Sequence, residues 1–212
     1  MKKILTFALT ALMIISMTGC AGNDNTQKEQ EKVVTSFFDS IKEYKLDELE
    51  KISTDDYTDV LDIASLTDGL KDLEDENVYS ESFIKETNNF IKKVFDKLIK
   101  EYKITFDEKE ENTVLVKGKM LDEKSIDMTS AQENINELIQ KYQEENMEEL
   151  SKIYLEQGQE AMMIKIFDDL SKELYNPLYT ELDNAKYTDF TFKFEMIEKD
   201  GKWLIDKISK EK

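Results

Sequence analysis

One stretch near the C-terminal end constrains the fold more than any other. Phe190, Phe192, Phe194 and Met196 alternate with Thr191, Lys193, Glu195 and Ile197, and Asp200-Gly201 follows a few residues later. Successive side chains of a strand point to opposite faces, so this alternation gives one apolar and one polar face. Asp-Gly supplies the two φ > 0 positions of a type I′ hairpin turn. A two-residue loop there pairs Met196 with Ile205 and Glu198 with Trp203. That register puts Trp203 and Ile205 on the phenylalanine face, with Trp203 largely buried, and puts Asp206 on the opposite, solvated face. A one-faced hairpin needs a covering layer.

That layer stands upstream. Val34, Phe37, Phe38 and Ile41 fall at i, i+3, i+4 and i+7, one face of a helix. A second short helix is expected over Asp47 to Ser53, packed through Leu46, Leu49 and Ile52. Residues 54 to 78 read as helical turns broken near Asp68-Gly69. Ser80 is placed to cap a helix whose apolar stripe is Phe83, Phe90, Ile91, Val94 and Leu98. The period then switches to two. Tyr102, Ile104 and Phe106 form one strand, and Val114, Val116 and Met120 lie on one face of another, joined by a polar hairpin link. Residues 129–182 return to helical spacing, with Ile135, Leu138, Ile139 and Tyr142, then Met163, Ile166, Phe167, Leu170 and Leu174. Gly158 separates two helices of an expected helical hairpin, and Asn176-Pro177 ends the second. The fold class expected is α+β, N-terminal helices packed on a curled antiparallel sheet, with a long helical insertion between strands.

Helices followed by strands ending in DGKWLI give a chain that resembles the nuclear-transport-factor-2-like (cystatin-like) superfamily. It is similar in particular to lipoproteins of low-GC Gram-positive bacteria that carry a domain of unknown function. VVTSFFDSIKEYKLDELEKIS (33–53) resembles the opening helix pair, and 104–122 with 187–208 resembles the sheet. The resemblance implies a cone whose helices lean on the concave sheet face, often around a pocket. It carries no catalytic motif onto these residues, and a fold alone does not license an activity.

The N-terminal end reads as an address. Lys2-Lys3 precede an apolar run from Ile4 to Met17, and Met17-Thr18-Gly19-Cys20 closes it. The run falls short of the roughly 20 residues that span a bilayer. Basic start, apolar core and small residues before a cleavage point are the order of a secretory signal. Here it ends in a lipobox, with cleavage between Gly19 and Cys20 and acylation of the Cys20 thiol. Residues 1–19 are thus expected to be a signal peptide, 20–31 a lipidated tether, and 32–212 one α+β domain. A chain so anchored meets the membrane through lipid at Cys20, on the extracytoplasmic side of the cell membrane.

Composition excludes whole classes of chemistry. All 29 basic residues are lysine, histidine is absent, and Cys20 is the only cysteine. Histidine-based triads, imidazole metal sites and bidentate guanidinium forks are therefore impossible. A thiol consumed by lipid leaves no disulfide and no thiolate zinc site. With 47 acids and a net charge of −18, the chain repels nucleic acid, and no nucleic-acid partner is expected. The acidic runs Asp55, Asp56, Asp59, Asp62 and Asp72, Glu74, Asp75, Glu76 lack the alternation, glycine and terminal glutamate of a calcium loop. No metal and no cofactor is expected. Phe37, Tyr102, Tyr187 and Trp203 are candidates for the lining of a pocket, weighed against plain core and rim positions. The methionines, such as Met162-Met163, read as core filling.

The function expected is a surface-anchored, non-enzymatic binding or interaction module for a protein or small-molecule ligand. The alternative is a small extracytoplasmic enzyme that draws on Asp, Glu and Tyr for acid–base work, since burial tunes both groups. The substrate-binding component of a transporter ranks below both, because that role usually takes two α/β lobes.

Overall fold

The computed structural model describes residues 24–54 and 79–211. The signal, the lipobox, both acidic runs and the helical turns expected around Asp68-Gly69 lie outside these residues. Among the described residues, helices α1 (Asp24–Lys42), α2 (Leu46–Ile52) and α3 (Glu81–Leu98) precede the sheet. Strands β1 (Ile99–Phe106) and β2 (Thr113–Leu121) follow, then α4 (Met128–Glu145), α5 (Met147–Gln157), α6 (Gln159–Asp169) and α7 (Asn176–Asn184). Strands β3 (Tyr187–Lys199) and β4 (Lys202–Lys210) close the chain. The four strands form one antiparallel sheet in the order β1-β2-β3-β4, so the architecture is α+β.

The terminal hairpin has the expected register. Met196 pairs with Ile205 and Glu198 with Trp203, and both turn residues adopt positive φ, 53° at Asp200 and 73° at Gly201. Beyond that the strand departs from simple alternation. Glu195 pairs with Lys207 while Met196 pairs with Ile205, so Asp206 is an extra residue in a bulge. The bulge turns Ile208 inward, where it pairs with Phe194 and is buried. The chain after α2 meets this edge. Ser53 bridges Ile205, the Thr54 amide donates to the Ile205 carbonyl at 2.9 Å, and Thr54 Oγ1 donates to Asp206 Oδ1 at 2.9 Å.

Helices α1 to α3 cover one sheet face. Val34, Phe37, Phe38 and Ile41 of α1 are buried with Val114, Val116, Phe192, Phe194 and Ile205. Ser80 caps α3 by accepting the Phe83 amide at 3.2 Å. The buried line of α3 runs through Phe83, Thr87, Ile91, Phe95 and Leu98. Phe90 and Val94, expected on that stripe, are half-buried beside it.

The insertion holds more breaks than a helical hairpin. Gly158 separates α5 from α6 as expected, but Asn146 ends α4 early, its Nδ2 donating to the Tyr142 carbonyl at 2.9 Å. Asn176-Pro177 opens α7 instead of only ending a helix. Proline in the first helical turn, here the second residue of α7, lacks only an amide that would have no helical partner. These helices build a second apolar cluster around Phe83, Leu150, Ile166, Leu170, Leu174 and Tyr175, with Met162 and Met163 partly buried against it. Phe90 packs against both clusters, so α3 is a spine shared between them.

The tether also differs from expectation. Helix α1 starts at Asp24, and Gln30 is 2% exposed, its Nε2 donating to Asn112 Oδ1 at 3.2 Å. Polar composition hid this segment, because its inward contact is a hydrogen bond and not an apolar stripe.

Candidate functional site

The four candidate pocket residues do not converge. Phe37, on α1, meets Phe194 edge-on at 5.4 Å between ring centroids and is fully buried. Tyr102, on β1, stacks on Phe38 at 4.4 Å, and burial with the nearby Asp39 carboxylate raises its phenol pKa. Tyr187 opens β3 opposite Leu121 and lies under the Lys100 ammonium at 4.9 Å. Trp203 sits on β4 opposite Glu198 and is half-buried. Glu198 and Tyr187 stand at opposite ends of β3, roughly 35 Å apart at about 3.3 Å per residue. No small-molecule pocket spans that distance. The inner sheet face between them is filled by Phe38, Phe190, Phe192 and Phe194, so these positions are core and rim. Trp203 also packs less deeply than expected: it is partly buried against the core cluster, close to the exposed turn residues Asp200 and Gly201.

Open grooves on the described surface include two with polar linings. One, of about 420 Å³, is lined by Ser36, Asp39, Ser40, Glu43, Lys45, Glu48 and Ile52 along α1 and α2. The other, of about 320 Å³, runs from the β1–β2 turn to the β4 bulge past Glu110, Asn112, Lys193, Glu195 and Asp206. Neither includes a candidate pocket residue. In the second, Lys193 is paired with Glu110 and lies 3.9 Å from Glu195, which offsets the local acid charge. Among the described residues no group of three or more carboxylates stands ready for a metal ion.

One polar cluster on the insertion carries no motif in the sequence. The Tyr142 hydroxyl (α4) donates to Asp169 Oδ2 (α6). Lys165, one turn earlier on α6, donates to the same oxygen at 2.6 Å and lies 3.7 Å from Glu149 of α5. Burial, then the hydrogen bond to Asp169, pushes the Tyr142 phenol up to about 12. The Lys165 hydrogen bond, then that of Tyr142, holds the Asp169 carboxyl below its ordinary value. A phenol held neutral so far above pH 7 is a poor base, and a carboxylate held ionised is a poor acid. The cluster ties α4, α5 and α6 together. Only the Lys165–Asp169 spacing of four residues signalled it in the sequence.

Comparison with known proteins adds no relative: no family model, curated protein or solved structure matches the chain.

Proposed function

We propose that this chain is a lipid-anchored, extracytoplasmic binding or interaction module built on a nuclear-transport-factor-2-like cone. The cone reading is supported by helices α1 to α3 on one face of a four-stranded antiparallel sheet with a bulged terminal hairpin. The address is supported by Lys2-Lys3, the apolar run and Met17-Thr18-Gly19-Cys20. Among the described residues no helix is long and apolar enough to cross a membrane. One observation carries the choice of an interaction module. The inner face is filled by Phe37, Phe38, Phe192 and Phe194, while large apolar side chains stand exposed on the insertion, Leu155 at 82%. Such a chain offers its outside to a partner.

The anchor is tested by Cys20→Ser. Serine cannot form the thioether, and one lost attachment point removes all acyl chains, each worth roughly 0.8 kcal/mol per buried CH₂. Detergent phase partition of the expressed protein is expected to shift from the detergent phase to the aqueous phase. Unchanged partition refutes the lipid anchor.

A further inference from the structure

Helix α5 is apolar over a wider arc than the fold uses. Leu150 is buried at 4% exposure and Ile153 is half-buried. Met147, Tyr154 and Leu155 are 63%, 51% and 82% exposed. At about 100° per residue, Met147 and Tyr154 lie within about 20° of each other, with Leu155 about 80° round from Met147 and Ser151 between them. The three form one strip two turns long. Single exposed apolar residues need no explanation. Here three of the five large exposed hydrophobics among the described residues fall on one helix of 11 residues.

The strip has an acidic setting. Residues 128–184 carry thirteen acids against four lysines. Glu144, Glu148 and Glu156 are exposed around it. The nearby ammonium of Lys165 is taken by Asp169 and Glu149 at 2.6 and 3.7 Å, Lys141 lies 3.9 Å from Glu145, and the exposed Lys152 of α5 is outnumbered on its own helix by Glu148, Glu149 and Glu156. A second copy would bring like charge onto like charge, as would an anionic lipid surface. From this strip and its charge we propose that α5 docks a cationic amphipathic segment of a partner protein, whose apolar face covers Met147, Tyr154 and Leu155 while its lysine or arginine flanks meet the carboxylates. The proposal rests on the interaction-module reading and gives it a partner class.

The probe is a labelled synthetic peptide of leucine and lysine at helical spacing, about 18 residues long so that it folds on contact. Fluorescence anisotropy with the full chain in detergent, at about 150 mM salt where long-range attraction is screened, is compared with a scrambled peptide of identical composition. The patterned peptide is expected to bind at least about tenfold tighter than the scrambled one. Leu155→Ser, alone and with Met147→Ser, is expected to remove that preference without changing charge, and Glu148→Gln with Glu156→Gln to weaken binding of both peptides. Equal binding of the two peptides, or serine variants that bind like wild type with unchanged circular dichroism, overturns the proposal. So does sedimentation showing a wild-type dimer that Leu155→Ser dissolves, since a second copy then occupies the strip. Failure of the Cys20→Ser partition removes the anchor and leaves this result standing, so the two failures are told apart.

Discussion

Among the described glycines, Gly118 is the position where one methyl group meets the most resistance. It lies on β2 between Tyr102 of β1 and Phe190 of β3. A Cβ built there stands 2.2 Å from the Glu101 carbonyl oxygen and 2.8 and 2.9 Å from two carbons of the Phe190 ring. Carbon–oxygen contacts close no further than about 3.3 Å, so the overlap with the carbonyl is about 1 Å. A ring edge can turn, but Phe190 is 3% exposed and packed at 4.4 Å on Phe192. The carbonyl is backbone, in the peptide that joins Glu101 to Tyr102, the strand partner of Gly118. Relief therefore requires β1 to withdraw from β2.

Overpacking of this kind costs about 1–3 kcal/mol, and each ladder hydrogen bond broken adds about 1 kcal/mol. Against this, alanine regains about 0.5–1 kcal/mol of backbone entropy. The net expectation for Gly118→Ala is a loss of about 2–4 kcal/mol, a large share of a typical domain stability of about 5–15 kcal/mol. Urea unfolding reads it as a lower midpoint at unchanged slope. Gly201→Ala is the control: it has open space but a φ of +73°, so it is expected to cost only about 1–2 kcal/mol of left-handed strain. A Gly118→Ala protein within about 0.5 kcal/mol of wild type, the ordinary surface range, refutes the close approach and the β1–β2 register with it.

Three further expectations follow from the packing. Tyr175 and Thr87 share a buried hydrogen bond, and Thr87 donates its own proton to the Phe83 carbonyl at 3.0 Å; Tyr175→Phe strips the Thr87 oxygen of its donor and is expected to cost about 1–2 kcal/mol in urea unfolding. Tyr142, held at about 12, is expected to be the last of the described tyrosines to ionise in ultraviolet titration; since its folded pKa is raised, the stability it contributes is complete below its unfolded value of about 10 and is lost as pH rises toward 12, and Tyr142→Phe is expected to flatten that loss. Trp203 is half-buried, so its emission maximum is expected between buried and solvated limits, and Trp203→Ala to cost about 1.5–2.5 kcal/mol, roughly half the 3–5 kcal/mol of a fully buried aromatic.

What the sequence made legible was local and redundant. Asp200-Gly201 and the alternating phenylalanines specify the same hairpin twice, and the Met196–Ile205 register follows from loop length alone. Ser80 announces α3 because its cap bond is made three residues away. Less legible were features that depend on distant partners. The Asp206 bulge is fixed by Ser53 and Thr54 arriving against the edge of β4. The first turns of α1 carry no apolar period, and Gln30 is held by Asn112, 82 residues away in sequence. The candidate pocket failed for a similar reason. Tyr187 and Trp203 share a strand pair in sequence order, yet the length of β3 separates them.

The shared spine decides how the two halves of the molecule depend on each other. The insertion leaves and rejoins the sheet at neighbouring points: Leu121 pairs with Tyr187, and the Asp122 amide donates to the Lys186 carbonyl at 2.9 Å. A short loop is therefore enough to close β2 onto β3 without it. The N-terminal half of α3 has no such substitute. Phe83 packs on Phe167 and Tyr175 at 5.3 and 5.7 Å, and Thr87 bonds Tyr175. Lys93 and Lys97 both reach Asp183 of α7, at 3.0 and 2.9 Å, although half-exposed pairs of this kind contribute little. Stripped of the insertion, α3 exposes Phe83 and leaves Thr87 without its phenol, while its other half must still hold Ile91, Phe95 and Leu98 against the sheet. The sheet core thus relies on a helix whose first turns belong to the insertion's core.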